Sequence, residues 1–141
     1  MIRTTARRLL LFGLIAATAA CADPPVPTTP TTPTVINEPP WTGTLTINGA
    51  QTLPFVTTAS GQIEATIFAL SPNPDNTVRV GLALGRWNGQ ACEIVLANDS
   101  AFVTTVVYGT ATASGELCAR IYDAKGTLTE AVDFDIRISH P

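Results

Sequence analysis

Strict alternation of apolar and polar residues constrains this chain more than any other feature. Residues 132–139 place an apolar side chain at every second position, and segments 78–84 and 63–67 repeat the pattern. A period of two is typical of a β-strand with one buried face, whereas one face of a helix repeats every 3.6 residues. The sequence therefore predicts an all-β domain.

Turn-forming residues divide residues 41–141 into about eight strands. Asn48-Gly49 and Ser60-Gly61, for example, favour tight turns. The strands are expected near 43–48, 53–58, 62–70, 78–84, 91–97, 102–108, 116–122 and 131–139. Many short strands at regular spacing are typical of a sandwich or jelly roll, and about a hundred residues suffice for one. We therefore expect a single antiparallel, jelly-roll-like β-sandwich over residues 41–141.

The segment before this domain has the composition of a tether. Residues 23–40 read DPPVPTTPTTPTVINEPP, which is dense in Pro and Thr and nearly uncharged. Such a segment cannot bury enough apolar surface to fold, and proline favours an extended chain of about 3.1 Å per residue. We expect residues 21–40 to be a disordered linker. A proline ligand for a peptide-binding domain is the alternative interpretation.

Residues 1–20 are typical of a bacterial export signal. Three arginines precede an apolar run at 9–15, and small residues follow at 16–20. The apolar part is about a dozen residues long, shorter than the roughly 20 that a membrane-spanning helix needs. The sequence therefore predicts a signal peptide and a domain outside the cytoplasm.

The end of this signal resembles the lipobox of bacterial lipoproteins. Thr18-Ala19-Ala20-Cys21 carries the resemblance. It implies that Cys21 is lipidated with fatty-acyl chains such as palmitate, becomes the new N-terminus and anchors the protein in the cell envelope. Ala22 after the cysteine points to the outer rather than the inner membrane. The alternative is ordinary signal cleavage next to Cys21, which would leave a soluble secreted or periplasmic protein.

The charge balance of the exported part excludes two classes of partner. Three of the eight basic residues lie in the signal, so the remainder carries five basic and eleven acidic residues, a formal net charge of −6. Nucleic acid and anionic lipid surfaces both require a basic face. We therefore expect no nucleic-acid partner, and a membrane contact only through the lipid.

Cys92 and Cys118 are the two cysteines that remain once Cys21 is lipidated or removed. Both fall inside predicted strands, and cysteines in an oxidising compartment are expected to pair. We expect a disulfide that joins neighbouring strands near a rim of the sandwich. A redox or metal-binding pair is the alternative, although the chain has no C-x-x-C motif.

The C-terminal half also resembles a group of small exported β domains. GELCARIYD at 115–123, GTLTE at 126–130 and ISHP at 138–141 carry the resemblance, and VGLALG at 80–85 fits it as well. The layout is similar to the jelly-roll domains appended to secreted bacterial peptidases, of the pre-peptidase C-terminal type. This resemblance implies an extracytoplasmic jelly roll without catalytic residues or cofactor.

A predicted loop just before Cys92 holds the best candidate binding residues. Arg86, Trp87, Asn88 and Gln90 place an aromatic among polar side chains, as sugar and peptide sites do. In the alternative interpretation, Trp87 caps the end of the sandwich beside the disulfide.

Catalytic and metal sites find little support in the sequence. His140 is the only histidine, and no G-x-S-x-G motif accompanies it. Asp133 and Asp135 lie side by side on one strand face, so we expect them to be solvated rather than to flank a sugar. We predict no enzyme, cofactor or metal site, although calcium near Asp123, Asp133 and Asp135 stays open.

These expectations converge on a non-catalytic envelope lipoprotein. Its sandwich would bind a glycan, a peptide or another envelope protein. The alternative is a structural, stabilising module that acts with a separate secreted enzyme.

The lipid anchor predicts a difference between the wild-type protein and Cys21→Ser expressed in a bacterium. The wild type should enter the detergent phase and gain the mass of acyl chains, whereas Cys21→Ser should stay in the aqueous phase. Phase partitioning and intact-mass spectrometry measure both properties. A wild-type protein that is unmodified and aqueous contradicts the anchor.

Overall fold

The computed structural model describes residues 31–141, so the predicted signal peptide, Cys21 and the first part of the linker lie outside it. Nine strands and one 3-10 turn, Pro74–Asn76, make up the regular structure of this part. The strands are β1 Ile36–Asn37, β2 Trp41–Leu45, β3 Ala50–Thr57, β4 Gly61–Ser71, β5 Val80–Trp87, β6 Cys92–Ala101, β7 Val106–Ala111, β8 Gly115–Tyr122 and β9 Val132–His140. In this part of the chain no helix is long and apolar enough to cross a membrane.

The strands pair in nested order, the first with the last and the innermost with each other. Strand β2 pairs with β9, β3 with β8, β4 with β7 and β5 with β6, all antiparallel. The resulting sheets have the orders β2-β9-β4-β7 and β3-β8-β5-β6. This wrapping of one long paired ribbon into two sheets is the jelly roll. The predicted all-β, jelly-roll-like sandwich is confirmed.

Eight of the nine strands overlap the predicted ones, and β1 is the addition. Ile36 and Asn37 fall in the segment assigned to the linker, yet they pair with His140 and Ser139 at the end of β9. The backbone N–H of Glu38 also donates to Ile138 O at 2.9 Å. Two residues in a proline-rich segment are too few to show the apolar–polar alternation that predicts a strand. Their order comes from the free edge of β9, which the local sequence does not reveal.

The core lies between the sheets and is built from the alternating residues. Buried and exposed positions alternate along β9 almost without a break. The fully buried Ile136 and Ile67 come from the first sheet, and Leu82 and Ile121 from the second. Burying a side chain of this size contributes about 1.5–3 kcal/mol, so these inward rows hold the two sheets together.

The disulfide between Cys92 and Cys118 is confirmed, with the two Cα atoms 5.8 Å apart. The sequence predicted a bond between neighbouring strands, but the two strands that it joins are not hydrogen-bonded to each other. Cys92 begins β6 and Cys118 lies in β8, and β5 runs between these two strands. The bond therefore crosses β5, at the position where Gly85 is the partner of Cys118.

Gly85 makes this crossing possible because it has no side chain. A Cβ at Gly85 would lie 2.8 Å from the backbone carbonyl carbon of Glu93, and nearer still to its oxygen. Real Cβ atoms essentially never come so close to backbone, so β6 can fold over β5 only at a glycine.

A second link crosses β5 nearer its beginning. The Tyr122 hydroxyl at the end of β8 donates a hydrogen bond to the Asp99 carboxylate in β6. The ring of Tyr122 covers Gly81, where a Cβ would lie 2.7 Å from Tyr122 Cε1. Burial, followed by the hydrogen bond and the charge of Asp99, raises the pKa of Tyr122 from 10.0 to about 12.

The raised pKa predicts how stability changes at high pH. The folded protein favours the neutral phenol of Tyr122, and this preference stabilises the fold. The stabilisation is complete below pH 10 and is lost as the pH rises from 10 to about 12. The unfolding free energy of the wild type should therefore fall more steeply over this window than that of Tyr122→Phe. Denaturant unfolding at several pH values measures both slopes, and equal slopes would contradict the assignment.

Candidate functional site

An apolar cleft opens where edge strand β6 of one sheet faces edge strand β7 of the other. It encloses a cavity of about 160 Å³. Its apolar lining includes side chains from β3, β4, β5, β6 and β8, and Arg86 lies at its rim. We call it the edge cleft and define it by Phe55, Ile63, Leu84, Leu96, Leu117 and Arg86.

Two local features leave room for the edge cleft. Gly109 in β7 has no side chain, and a Cβ there would come within 3.3 Å of Leu84 Cδ1 and 3.5 Å of Leu96 Cδ1. The pairing of β6 with β5 also shifts register, because Leu84 faces Leu96 whereas Gly85 faces Ile94. The extra residue, Val95, forms a bulge that bends the strand and is 67% exposed.

Arg86 is the charged group of the edge cleft. Its side chain is exposed and makes no hydrogen bond, ion pair or ring contact with the residues that the structure describes. Its cross-strand partner Glu93 instead accepts a hydrogen bond from Asn88 Nδ2 at 3.0 Å. By contrast, Arg79 lies over the Phe102 ring and Arg137 pairs with Asp135. Arg86 is thus free to meet an anion from outside.

The same arginine also borders a second recess of about 260 Å³. This recess lies at the end of β7, and both Thr110 and Thr112 line it together with the edge cleft. Arg86 and Glu116, together with the end of β7, therefore lie at the polar end of an otherwise apolar site.

Of the four predicted binding residues, the structure brings only Arg86 to the edge cleft. Trp87 is the last residue of β5, not a loop residue, and it is half-buried opposite Cys92. Its position beside the disulfide agrees with the alternative interpretation, although it is not among the residues of the main core. Gln90 is exposed in the turn.

Asn88 organises the turn rather than a binding surface. Its side-chain oxygen accepts hydrogen bonds from the backbone N–H groups of Gln90, at 3.0 Å, and Ala91, at 2.8 Å. Because its amide nitrogen also donates to Glu93, both ends of the Asn88 side chain are occupied.

The apolar residues of the edge cleft were missed at the sequence level. One signal was available, because Ile94, Val95 and Leu96 form a consecutive apolar run that breaks the alternation. All three are at least 40% exposed, which is unusual for such a run in an edge strand. The contributions of Phe55 and Leu117 could not be seen, because their inward positions resemble any other core position.

His140 has a structural role beside this site. It is 1% exposed and stacks on Phe55 with the ring centroids 5.1 Å apart. Its Nε2 lies 2.9 Å from Glu38 Oε1 and its Nδ1 lies 3.1 Å from the backbone oxygen of Pro141. Both ring nitrogens are therefore engaged, and the contact holds the segment after β1 against the end of β9.

The three aspartates considered for calcium are held separately. Asp123 accepts backbone N–H groups from Asn48, at 3.0 Å, and Thr127, at 2.9 Å. Asp135 is bound by Arg137, and Asp133 accepts the Thr44 hydroxyl. Within residues 31–141, no three acidic, histidine or cysteine side chains are grouped in a way that could hold a metal ion.

Comparison with known proteins does not add to these observations. No family model matches the chain, and a search of curated proteins finds no significant match.

Proposed function

We propose that this chain is a non-catalytic lipoprotein of the bacterial cell envelope whose jelly roll binds a ligand in the edge cleft. The observation that carries the proposal is an exposed apolar cavity whose rim holds Arg86, an arginine with no partner among residues 31–141. Binding sites commonly combine an apolar lining with a few polar groups that orient the ligand.

The volume of the edge cleft sets the size of what it accepts. Cavities for drug-sized ligands measure about 300–1,000 Å³, whereas an engineered cavity of about 150 Å³ in another protein takes benzene. At about 160 Å³, the edge cleft is suited to one aromatic ring or one branched aliphatic side chain.

The chemistry of the lining favours a peptide over a glycan. A sugar ring presents hydroxyls all round, and Leu84, Leu96 and Leu117 offer them no hydrogen-bonding partner. Trp87, the aromatic expected to stack on a sugar, does not line the edge cleft. An apolar side chain with a nearby carboxylate matches both the apolar lining and Arg86.

Several observations support a role in binding rather than catalysis. His140 is buried and both its ring nitrogens are in contact with oxygens. Asp135, one of the two strand-face carboxylates, forms a bidentate pair with Arg137. These groups stabilise the fold where they stand, and none of them lines the edge cleft.

The lipid anchor and the linker complete the proposal. Lipidated Cys21 would hold the protein in the envelope, with the outer membrane as the favoured location. Because β1 already pairs with β9, about 15 residues from Cys21 would remain to span the distance, roughly 45 Å if extended. The resemblance to pre-peptidase C-terminal domains implies the same extracytoplasmic setting, but a fold by itself does not fix a function.

A ring with a carboxylate, 3-phenylpropionate, tests the proposed site. Titrated into ¹⁵N-labelled protein, it should shift the amide signals of Arg86, Gly109 and Leu117 most. Arg86→Gln should weaken binding about tenfold, because a charge-assisted hydrogen bond is lost. The matched control is Lys125→Gln, which removes an exposed cation from a turn that does not border the edge cleft and should leave the affinity unchanged.

Two results would contradict the proposed function. One is a probe that does not bind at all, as a purely structural module would behave. The other is equal weakening by Arg86→Gln and Lys125→Gln, since that would reflect net charge rather than the edge cleft.

A further inference from the structure

The open edges of the two sheets differ in how well they are protected against pairing with another strand. Pro54 lies within β3, where it removes a backbone N–H, and the residues between β1 and β2 read Glu38-Pro39-Pro40. Strand β6 carries two register shifts and the charges of Glu93 and Asp99. Proline, charge and bulges are the usual means by which proteins prevent edge pairing.

Strand β7 has none of these protections. Its six residues pair with β4 in an unbroken register from Thr66↔Val106 to Gly61↔Ala111. Its sequence, VVYGTA, contains no charge and no proline. Its other side has no partner strand within residues 31–141. Strand β7 can therefore accept an additional strand through its backbone N–H and C=O groups.

The inward positions of β7 connect this edge to the edge cleft. Val107 and Ala111 are buried while Tyr108 and Thr110 are exposed, so the odd-numbered residues face the other sheet. Directly opposed residues of two paired strands point to the same face. A residue added opposite Gly109 would thus direct its side chain toward the edge cleft, where the missing Cβ leaves space.

The residue opposite Ala111 would face the polar end of the site. Ala111 borders the second recess together with Arg86 and Thr112. Two residues that lie on the same face of a strand, two positions apart, are separated by about 6.6–6.8 Å. One residue of an added strand could therefore face the apolar cavity while the next residue on that face reaches Arg86. In an antiparallel addition, the residue opposite Ala111 precedes the residue opposite Gly109 by two positions.

We propose that the ligand is an extended peptide segment of another protein that adds to β7 as an antiparallel strand. Its sequence has the order acidic residue, any residue, large apolar residue. The apolar side chain fills the edge cleft and the carboxylate pairs with Arg86. This proposal rests on the proposed function, and it specifies the class of ligand and its direction.

Charge argues against a second copy of this chain as the occupant. Two β7 strands paired about Tyr108 would place Val106 opposite Thr110 and Val107 opposite Gly109. Because β7 has no acidic residue, this arrangement gives Arg86 no carboxylate. A peptide with an acidic residue is the occupant that matches both ends of the site.

Two capped hexapeptides with the same composition test the direction. One contains Asp-Thr-Phe between threonines, and the other contains Phe-Thr-Asp. NMR titration of the oxidised protein should show that the first binds about tenfold more tightly, because only this order matches an antiparallel strand. Bound peptide should also slow the hydrogen exchange of those β7 amides that point away from β4, at the open edge of the sheet. A glycan or a lone ring would not slow it.

A charge exchange provides the second arm. Arg86→Glu should weaken the binding of the Asp-Thr-Phe peptide about tenfold and should strengthen the binding of a Lys-Thr-Phe peptide. Lys125→Glu is the matched control and should leave the preference for Asp-Thr-Phe unchanged.

The outcomes separate this inference from the proposed function. If 3-phenylpropionate binds but the two peptide orders bind equally, or if β7 amides exchange at the same rate with peptide bound, strand addition is wrong and the proposed site stands. If 3-phenylpropionate does not bind, the proposed function is wrong, and this inference, which rests on it, is wrong as well.

Discussion

The crossing of β5 by the Cys92–Cys118 bond is the constraint on which the shape of the second sheet depends. Strands β6 and β8 lie on opposite sides of β5, and a covalent bond between them requires one strand to fold over the middle one. Gly85 allows this approach because a side chain there would meet the backbone of Glu93. Tyr122 and Asp99 repeat the arrangement over Gly81 without a covalent bond.

The same crossing accounts for the edge cleft. Strand β6 begins at the disulfide, pairs with the end of β5 as far as Ile94, and then shifts register at the bulge at Val95. Because bulges bend the strand that carries them, β6 does not close over the space beside β7. Leu84 and Leu96 are left lining a cavity instead of meeting an inward side chain from Gly109. The fold thus couples the disulfide to the candidate binding site.

The sequence predicted the features that depend on local pattern and missed those that depend on long-range geometry. Alternation along β9 was sufficient to predict the all-β class, and the presence of two cysteines in predicted strands was sufficient to predict the disulfide. The crossing could not be predicted, because strand order is set by tertiary pairing and not by local propensity. For the same reason β1 was assigned to the linker, and Trp87 was expected in a loop although it ends β5. Arg86 was proposed from the sequence as a binding residue, and the structure places it at the rim of the edge cleft.

The stability of Gly85→Ala, measured by denaturant unfolding of the oxidised protein, tests the crossing most directly. The matched control is Gly115→Ala, since a Cβ at Gly115 meets no other atom within 4 Å. If β6 folds over β5 at Gly85, the added methyl group should lower the free energy of unfolding by about 1–3 kcal/mol, the usual cost of overpacking. The control should change it by less than about 0.5 kcal/mol. Equal stability of the two variants, both close to the wild type, would contradict the crossing and the account of the edge cleft that follows from it.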